Sequence, residues 1–334
     1  MMKNIRAISG WTLVLILVAL VGCQATPAPT EPPTPVPPTA TPLPTATATP
    51  EPEPWQQKAR LPYNTAAAAA VVLDGKIYLI GGAQSGAEGA DKGAVQVYDP
   101  ATDTWTLGAE MPTPRHYVAA SVIDGKIFAF GGTGNGAVFR STVEVYDPAT
   151  DTWEVWPDMP TPRTNFFTHV VDNKVYAVGG DEACSCSVEA YDPTTDTWEK
   201  RADMPIPRKR WRSVLLDGKI YVLGGYSQGS DADLVAVVEV YDPATDTWTR
   251  AADLPTPQWD AASCVLDGRI YTVPGDEQVF PIYDPATDAW EMGPDFPWPR
   301  HVHSVACVGG AIYVLGGAVS GEPRSSVWAY DPAR

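Results

Sequence analysis

Few side chains in this sequence stand close enough together to do chemistry. Of its four histidines, His301 and His303 are two apart, which on an extended strand would put both rings on one face. Cys184-Ser185-Cys186 is a close thiol pair. In an oxidising compartment it can close an internal disulfide; otherwise it stays free or binds a metal. Lys209-Arg210-Trp211-Arg212 is the one local basic cluster in an acidic chain. It can pair with a ligand carboxylate or with neighbouring acidic loops. Trp259 and Trp298 are isolated aromatics of the kind on which sugars stack and peptides anchor. None of these is a complete catalytic set, so what they do depends on the framework that holds them.

That framework is a repeat. Tyr-Asp-Pro occurs at 98–100, 146–148, 191–193, 241–243, 283–285 and 330–332. The first five copies run on to a Trp seven residues after the Tyr: Trp105, Trp153, Trp198, Trp248 and Trp290. The copies are spaced 42 to 50 residues apart, a period that marks a repeat architecture.

Each unit reads as four strands. Strand a follows a start such as Pro112-Thr113-Pro114-Arg115 and runs to Val122-Ile123. Asp124-Gly125 then makes a two-residue hairpin, since both central positions need positive φ; Asp172-Asn173 does the same in the third unit. Strand b, Lys126-Ile127-Phe128-Ala129-Phe130, is apolar on both faces and is expected to be buried on both. It ends in Gly131-Gly132. Strand c runs from Thr142 to Tyr146, and strand d begins near Trp153.

Gly-Gly at 81–82, 131–132, 179–180, 224–225 and 316–317, followed by a Tyr and then a Trp, closely resembles the kelch family. The fifth unit departs with Pro274-Gly275. The resemblance covers 55–334 and implies an all-β, six-bladed kelch-type β-propeller with four antiparallel strands per blade. Closure follows from spacing. Each repeat Trp is followed seven residues later by Pro, and Trp55 and Pro62 keep that spacing. Trp55 therefore opens a strand d with no a, b or c before it, while the last unit has a, b and c and no d. The N-terminal strand is expected to complete the sixth blade and remove the open edges. Trp55 and the five repeat Trp residues are read as packing side chains.

The hairpin turn and the Asp-Pro turn lie on one face, the b–c and d–a loops on the other. The first face hardly varies. The b–c loops do, with 15, 13, 10, 15, 7 and 12 residues between the second Gly and the Tyr. Length variation on one face marks it as the binding face. The kelch resemblance implies ligand contacts there, from the residue after Gly-Gly and from the second residue past the Pro-Arg start. With the outlying aromatics, the candidates are Tyr117, Asn165, Asp181, Arg210, Tyr226, Trp259, Asp260 and Asp276.

The repeated Arg has a structural reading. Arg115, Arg163 and Arg208 occur in the units that carry Glu144, Glu189 and Glu239 on strand c, which predicts an ion pair inside each of those blades. Blade 6 offers Arg300 and Trp328 instead, a candidate cation–π pair. Cys264 and Cys307 lie in apolar strand a segments and read as small core side chains.

Two enzymatic readings accompany the resemblance. Galactose oxidase-like members bind copper through two Tyr and two His with a Tyr–Cys crosslink, a set not matched here. Sialic acid mutarotase-like members need acid–base groups at the mouth, for which Asp181, Glu182, Asp260 and Arg210 are available. No cofactor is expected.

The chain opens with Lys3 and Arg6 before an apolar run from Trp11 to Val21, the layout of a signal peptide over 1–22. Leu20-Val21-Gly22-Cys23 resembles the bacterial lipobox, which implies that Cys23 is lipidated. Residues 24–54 are almost all Pro, Thr, Ala and Glu, too polar to fold; as extended chain these 31 residues reach roughly 95 Å. The expected organisation is a signal peptide, a lipidated Cys with a disordered linker over 23–54, and a propeller over 55–334, held outside the cytoplasm by the membrane. The net charge of −17 argues against nucleic acid. The reading is a monomeric binding protein for a protein or glycan ligand, with a carbohydrate-active enzyme as the alternative.

Overall fold

The computed structural model describes residues 54–84, 93–134, 138–183, 185–227, 234–275, 278, 280–296 and 298–333. The signal peptide, Cys23, nearly all of the linker, Cys184 and Asp276 lie outside the described residues.

The repeats become six four-stranded antiparallel blades, each ordered a-b-c-d outward from a central channel. Blade 1 comprises Ala69–Leu73, Lys76–Ile80, Val95–Asp99 and Thr104–Gly108. Blade 2 comprises Ala119–Ile123, Lys126–Phe130, Val143–Asp147 and Thr152–Trp156. Blade 3 comprises Phe167–Val171, Lys174–Val178, Val188–Asp192 and Thr197–Arg201. Blade 4 comprises Arg212–Leu216, Lys219–Leu223, Val238–Asp242 and Thr247–Ala251. Blade 5 comprises Ala262–Leu266, Arg269–Val273, Pro281–Asp284 and Ala289–Met292. Blade 6 takes Ser304–Val308, Ala311–Leu315 and Val327–Tyr330 from the C-terminal end of the chain. Its fourth strand is Trp55–Lys58, with Trp55 opposite Tyr330 as Trp105 is opposite Tyr98. The ring closes as the Trp–Pro spacing predicts.

Local sequence explains the strands. The hairpin residues Asp124 and Gly125 sit at φ 48° and 75°, the left-handed pair that a tight hairpin needs. Strand b is buried on both faces, because neighbouring blades sandwich it: Ile127, Phe128, Ala129 and Phe130 all belong to the core. The core lies between blades. One apolar cluster joins blades 2 and 3 through Phe130, Met159 and Phe166, and another joins blades 5 and 6 through Phe280, Phe296 and Val314.

The Tyr-Asp-Pro-to-Trp stretch makes the joints. Tyr98 donates to Asp103 Oδ1 at 2.7 Å, and the same oxygen accepts the amide of Ala59 in the preceding blade at 2.8 Å. Trp105 Nε1 donates to the carbonyl of that same Ala59 at 2.9 Å. Blade 2 repeats this with Tyr146, Asp151, Trp153 and Ala109, blade 4 with Tyr241, Asp246, Trp248 and Ala202. Blade 3 cannot, because the matching residue is Pro157, which has no N–H. There Trp156 Nε1 donates to the Tyr191 phenol at 3.0 Å, and the Trp198 indole N–H has no partner among the described residues.

The predicted ion pairs form. Arg115 meets Glu144 at 3.2 Å, Arg163 meets Glu189 at 3.0 Å, and Arg208 is hydrogen-bonded to Glu239, with all three guanidinium groups buried. Blade 1 substitutes a neutral pair, Gln96 Nε2 donating to Thr65 Oγ1 at 2.9 Å. The blade 6 pair does not form. Arg300 gives Nη1 to the Gly316 carbonyl and to Ser326 Oγ, both at 2.9 Å, and lies over Phe296. Trp328 stacks instead on Trp298, so Trp298 is engaged in packing rather than presented to a ligand.

The cysteines need a second correction. Cys264 and Cys307 are joined in a disulfide with Cα atoms 5.8 Å apart. They are not small core residues: they lie on adjacent a strands, which run side by side around the channel, so their thiols meet across a blade boundary. Cys186 is also disulfide-bonded, to a partner outside the described residues.

Candidate functional site

At the loop face each blade turns sharply just before its a strand. The turning residues are Ala67, Tyr117, Asn165, Arg210, Asp260 and Val302, with φ between 46° and 56°. This is the left-handed region, uncommon for non-glycine residues and costly for a β-branched one such as Val302. Hydrogen bonds between blades hold it. The amide of Ala67 donates to the Val302 carbonyl at 2.8 Å, Tyr117 to Ala67 at 2.8 Å, Asn165 to Tyr117 at 3.2 Å and Asp260 to Arg210 at 3.1 Å. The resemblance pointed to these positions as ligand contacts. Their backbones also form a collar around the channel neck, a role that pattern reading had not assigned.

The same turn corrects the histidine reading. Val302, at φ 46°, breaks the extended chain between His301 and His303. His301 stacks on Trp259, with ring centroids 4.5 Å apart. His303 is buried, with Nδ1 3.0 Å from the Arg300 carbonyl. Burial, with the nearby charges of Arg300 and Arg212, pushes its pKa down to about 3.

Blades 4, 5 and 6 build the densest part of the mouth. A short pairing of Arg208–Lys209 with Tyr226–Ser227 brings the d–a and b–c loops of blade 4 together. Tyr226 lies 5.4 Å from Trp259, and the Arg210 guanidinium sits 5.1 Å above the same indole. Arg210 Nη1 donates to Asp260 Oδ2 at 3.0 Å; the Arg210 side chain is 47% exposed and Asp260 is 2% exposed. His301 Nδ1 and Arg212 Nη2 each lie 3.9 Å from a carboxylate oxygen of Asp260. Tyr117 belongs to blade 2, opposite blade 5. Burial raises its phenol pKa, and the charge of Asp260 adds to the rise.

Arg210, Tyr226, Trp259 and Asp260 are thus brought together, with His301 as a member that spacing had not placed there. Tyr117 and Asn165 stand on the same collar, with the Tyr117 phenol in electrostatic reach of Asp260 and Arg210. Asp181 is committed elsewhere: its Oδ2 accepts the amides of Cys186 and Ser187 at 3.1 Å and the Ser187 hydroxyl at 2.8 Å, organising the blade 3 loop. The basic cluster takes the second of its two options, since Arg210 pairs with an acidic residue of the next blade. Among the described residues no group of three His, Cys, Asp or Glu side chains could hold a metal ion.

Three family models match along the chain: the KLHDC2/KLHL20/DRC7 Kelch-repeats domain over residues 45–202, the FKB95 Kelch-repeats domain over 163–296, and the Kelch motif over 299–334. The chain belongs to the kelch-repeat β-propeller family. Among solved structures, this kelch propeller is similar to one titled "Structure of YjhT", with a TM-score of 0.67 and 15% identity. That match covers 81% of this chain and 95% of the other, a likeness of fold. No curated protein matches the sequence. In this kelch propeller the repeat signature maps to the joints, and the candidate site maps to residues outside the signature.

Proposed function

We propose that this kelch propeller is a monomeric extracytoplasmic binding protein, anchored through lipid on Cys23, that recognises a protein or glycan at its loop face. The observation that carries the binding reading is the mouth of blades 4 to 6, where Tyr226, Trp259 and His301 form an aromatic shelf edged by Arg210. Flat aromatic surface beside a guanidinium is the composition that dominates binding energy at recognition sites. The compartment has support independent of the N-terminal pattern, since disulfides such as Cys264–Cys307 persist in oxidising surroundings. Glycan and peptide arrays probed with the full-length protein test the site. Selective binding that drops about tenfold or more in Trp259→Ala, Tyr226→Ala and Arg210→Ala supports it; binding that none of the three alters refutes it.

One arrangement favours a second reading, a carbohydrate-active enzyme. The Asp260 carboxylate is buried at the neck beside Arg210, Arg212 and His301, a convergence of ionisable groups of the kind active sites use. Turnover of a sugar that Asp260→Asn abolishes would establish it.

A further inference from the structure

Beneath the collar the six a strands enclose a chamber of about 620 Å³, the size of a small-molecule site. Its walls are unlike. Blade 1 contributes Ala67–Ala70, and Ala119 and Ala120 of blade 2 extend that surface. Strand positions favour β-branched and aromatic side chains, so a run of alanines leaves room where a typical wall would fill it. Facing this wall from blade 4, on the opposite side of the ring, is Arg212.

Several other polar side chains of the chamber have close partners, although the buried His303 Nε2 has none among the described residues. His169 Nε2 lies 2.6 Å from Ser213 Oγ, Ser121 Oγ lies 2.7 Å from Thr168 Oγ1, and Ser304 Oγ donates to the Ala68 carbonyl at 2.8 Å. Arg212 differs. It is 9% exposed and lines the chamber. Among the described residues its single hydrogen bond runs from Nη1 to the Trp211 carbonyl at 3.0 Å. A guanidinium has five N–H donors, so most of its capacity is unused. Its carboxylate neighbour, Asp260, is 3.9 Å away and already hydrogen-bonded to Arg210. Two guanidinium groups therefore share one carboxylate, leaving a positive excess at the neck of a chain that carries −17. A buried cation without a closely matched anion is costly, and a ligand anion would offset that cost.

We infer that the chamber binds a small organic carboxylate, its carboxylate on Arg212 and its apolar body along Ala67–Ala70. The planar fork of Arg212 suits two carboxylate oxygens, and the alanine side chains offer contact without hydrogen-bonding groups. This goes beyond recognition at the loop face and does not rest on it, because the occupant lies below the collar.

Calorimetric titration of the full-length protein with benzoate, shape-matched benzamide and the hydroxylated acid glucuronate tests this. Benzoate is expected to bind about tenfold or more tightly than either comparator. Arg212→Gln should weaken benzoate by about tenfold or more, with Arg212→Lys intermediate. Melting curves establish that each variant is folded. Ala70→Met, which keeps the charge and fills the wall, should also weaken binding and keeps the test decisive if Arg212 variants fail to fold. Benzamide equal to benzoate, indifference to both Arg212→Gln and Ala70→Met, or no heat with millimolar benzoate overturns the inference. Tighter binding of glucuronate overturns the apolar body.

Discussion

Tyr146 donates its phenol hydrogen to Asp151 at 2.7 Å, and the same carboxylate oxygen takes the amide of Ala109 from the preceding blade at 2.6 Å. A bond inside one blade and a bond between two blades therefore share one oxygen. Trp153 completes the joint by donating to the Ala109 carbonyl at 2.8 Å. The repeated residues recur because each boundary needs the same fastening.

Pro157 tests the importance of that fastening. Pro157→Ala supplies the N–H that Asp196 lacks in blade 3. The gain from a charge-assisted hydrogen bond should exceed the entropy that proline saves in the unfolded chain, so the melting temperature is expected to rise. Asp151→Asn, at an intact joint, should lower it. Equal melting temperatures for all three proteins would show that the joints add nothing.

The buried Arg208–Glu239 pair should be intolerant of half-removal. Glu239→Gln leaves the Arg208 charge buried without its anion, at a cost of about 3–5 kcal/mol. Replacing both partners, Arg208→Met with Glu239→Leu, should cost much less. Blade 1 already manages with the neutral Gln96–Thr65 pair at 2.9 Å. Urea denaturation of the single and double variants measures the difference.

Removing the channel disulfide by Cys264→Ser with Cys307→Ser frees a loop with a sequence separation of 43. Chain entropy alone predicts a loss of about 4 kcal/mol. Equilibrium unfolding in urea should show it as a lower midpoint; an unchanged midpoint would mean that the ring holds blades 5 and 6 together without help.

Acid should weaken the fold through His303. Its pKa is about 3 in the folded chain against 6.5 for the free side chain. Stability is therefore complete above pH 6.5 and declines as pH falls toward 3, because the unfolded chain takes up the proton first. The slope is roughly 1.4 kcal/mol per pH unit. The joint carboxylates Asp151, Asp246 and Asp288 lie below their usual 3.8, so their contribution is lost only at still lower pH, as it falls through the depressed values. His303→Asn should roughly halve the loss of stability between pH 6.5 and 4, because the buried His169, its pKa pushed down to about 4, contributes over the same window.

The blades, the ring closure and the Arg–Glu pairs were legible because they recur: a spacing shared by Trp55 and Trp105 needs no coordinates to interpret. What recurs once or not at all was harder. Cys264 and Cys307 look like apolar filler in their own strands, and only the closing of the ring brings them together. The His301–His303 reading assumed an extended chain, which the left-handed backbone at Val302 interrupts. Arg210 and Asp260 were both candidates, but nothing in their separation of fifty residues says that they pair. Asp181 occupies the right position, yet its carboxylate is spent on the Cys186 and Ser187 amides, a local matter that no repeat alignment reveals.

The strand that closes the ring, Trp55–Lys58, is also the first part of the propeller along the chain. Any pull transmitted through the N-terminus is therefore borne first by its four-residue pairing with Val327–Tyr330 and by the Trp55 ring set among Phe280, Phe296 and Tyr330. Under tension that seam is the mechanical fuse of the molecule. If it gives way, blade 6 loses its outer strand but stays linked to blade 5 through Cys264 and Cys307.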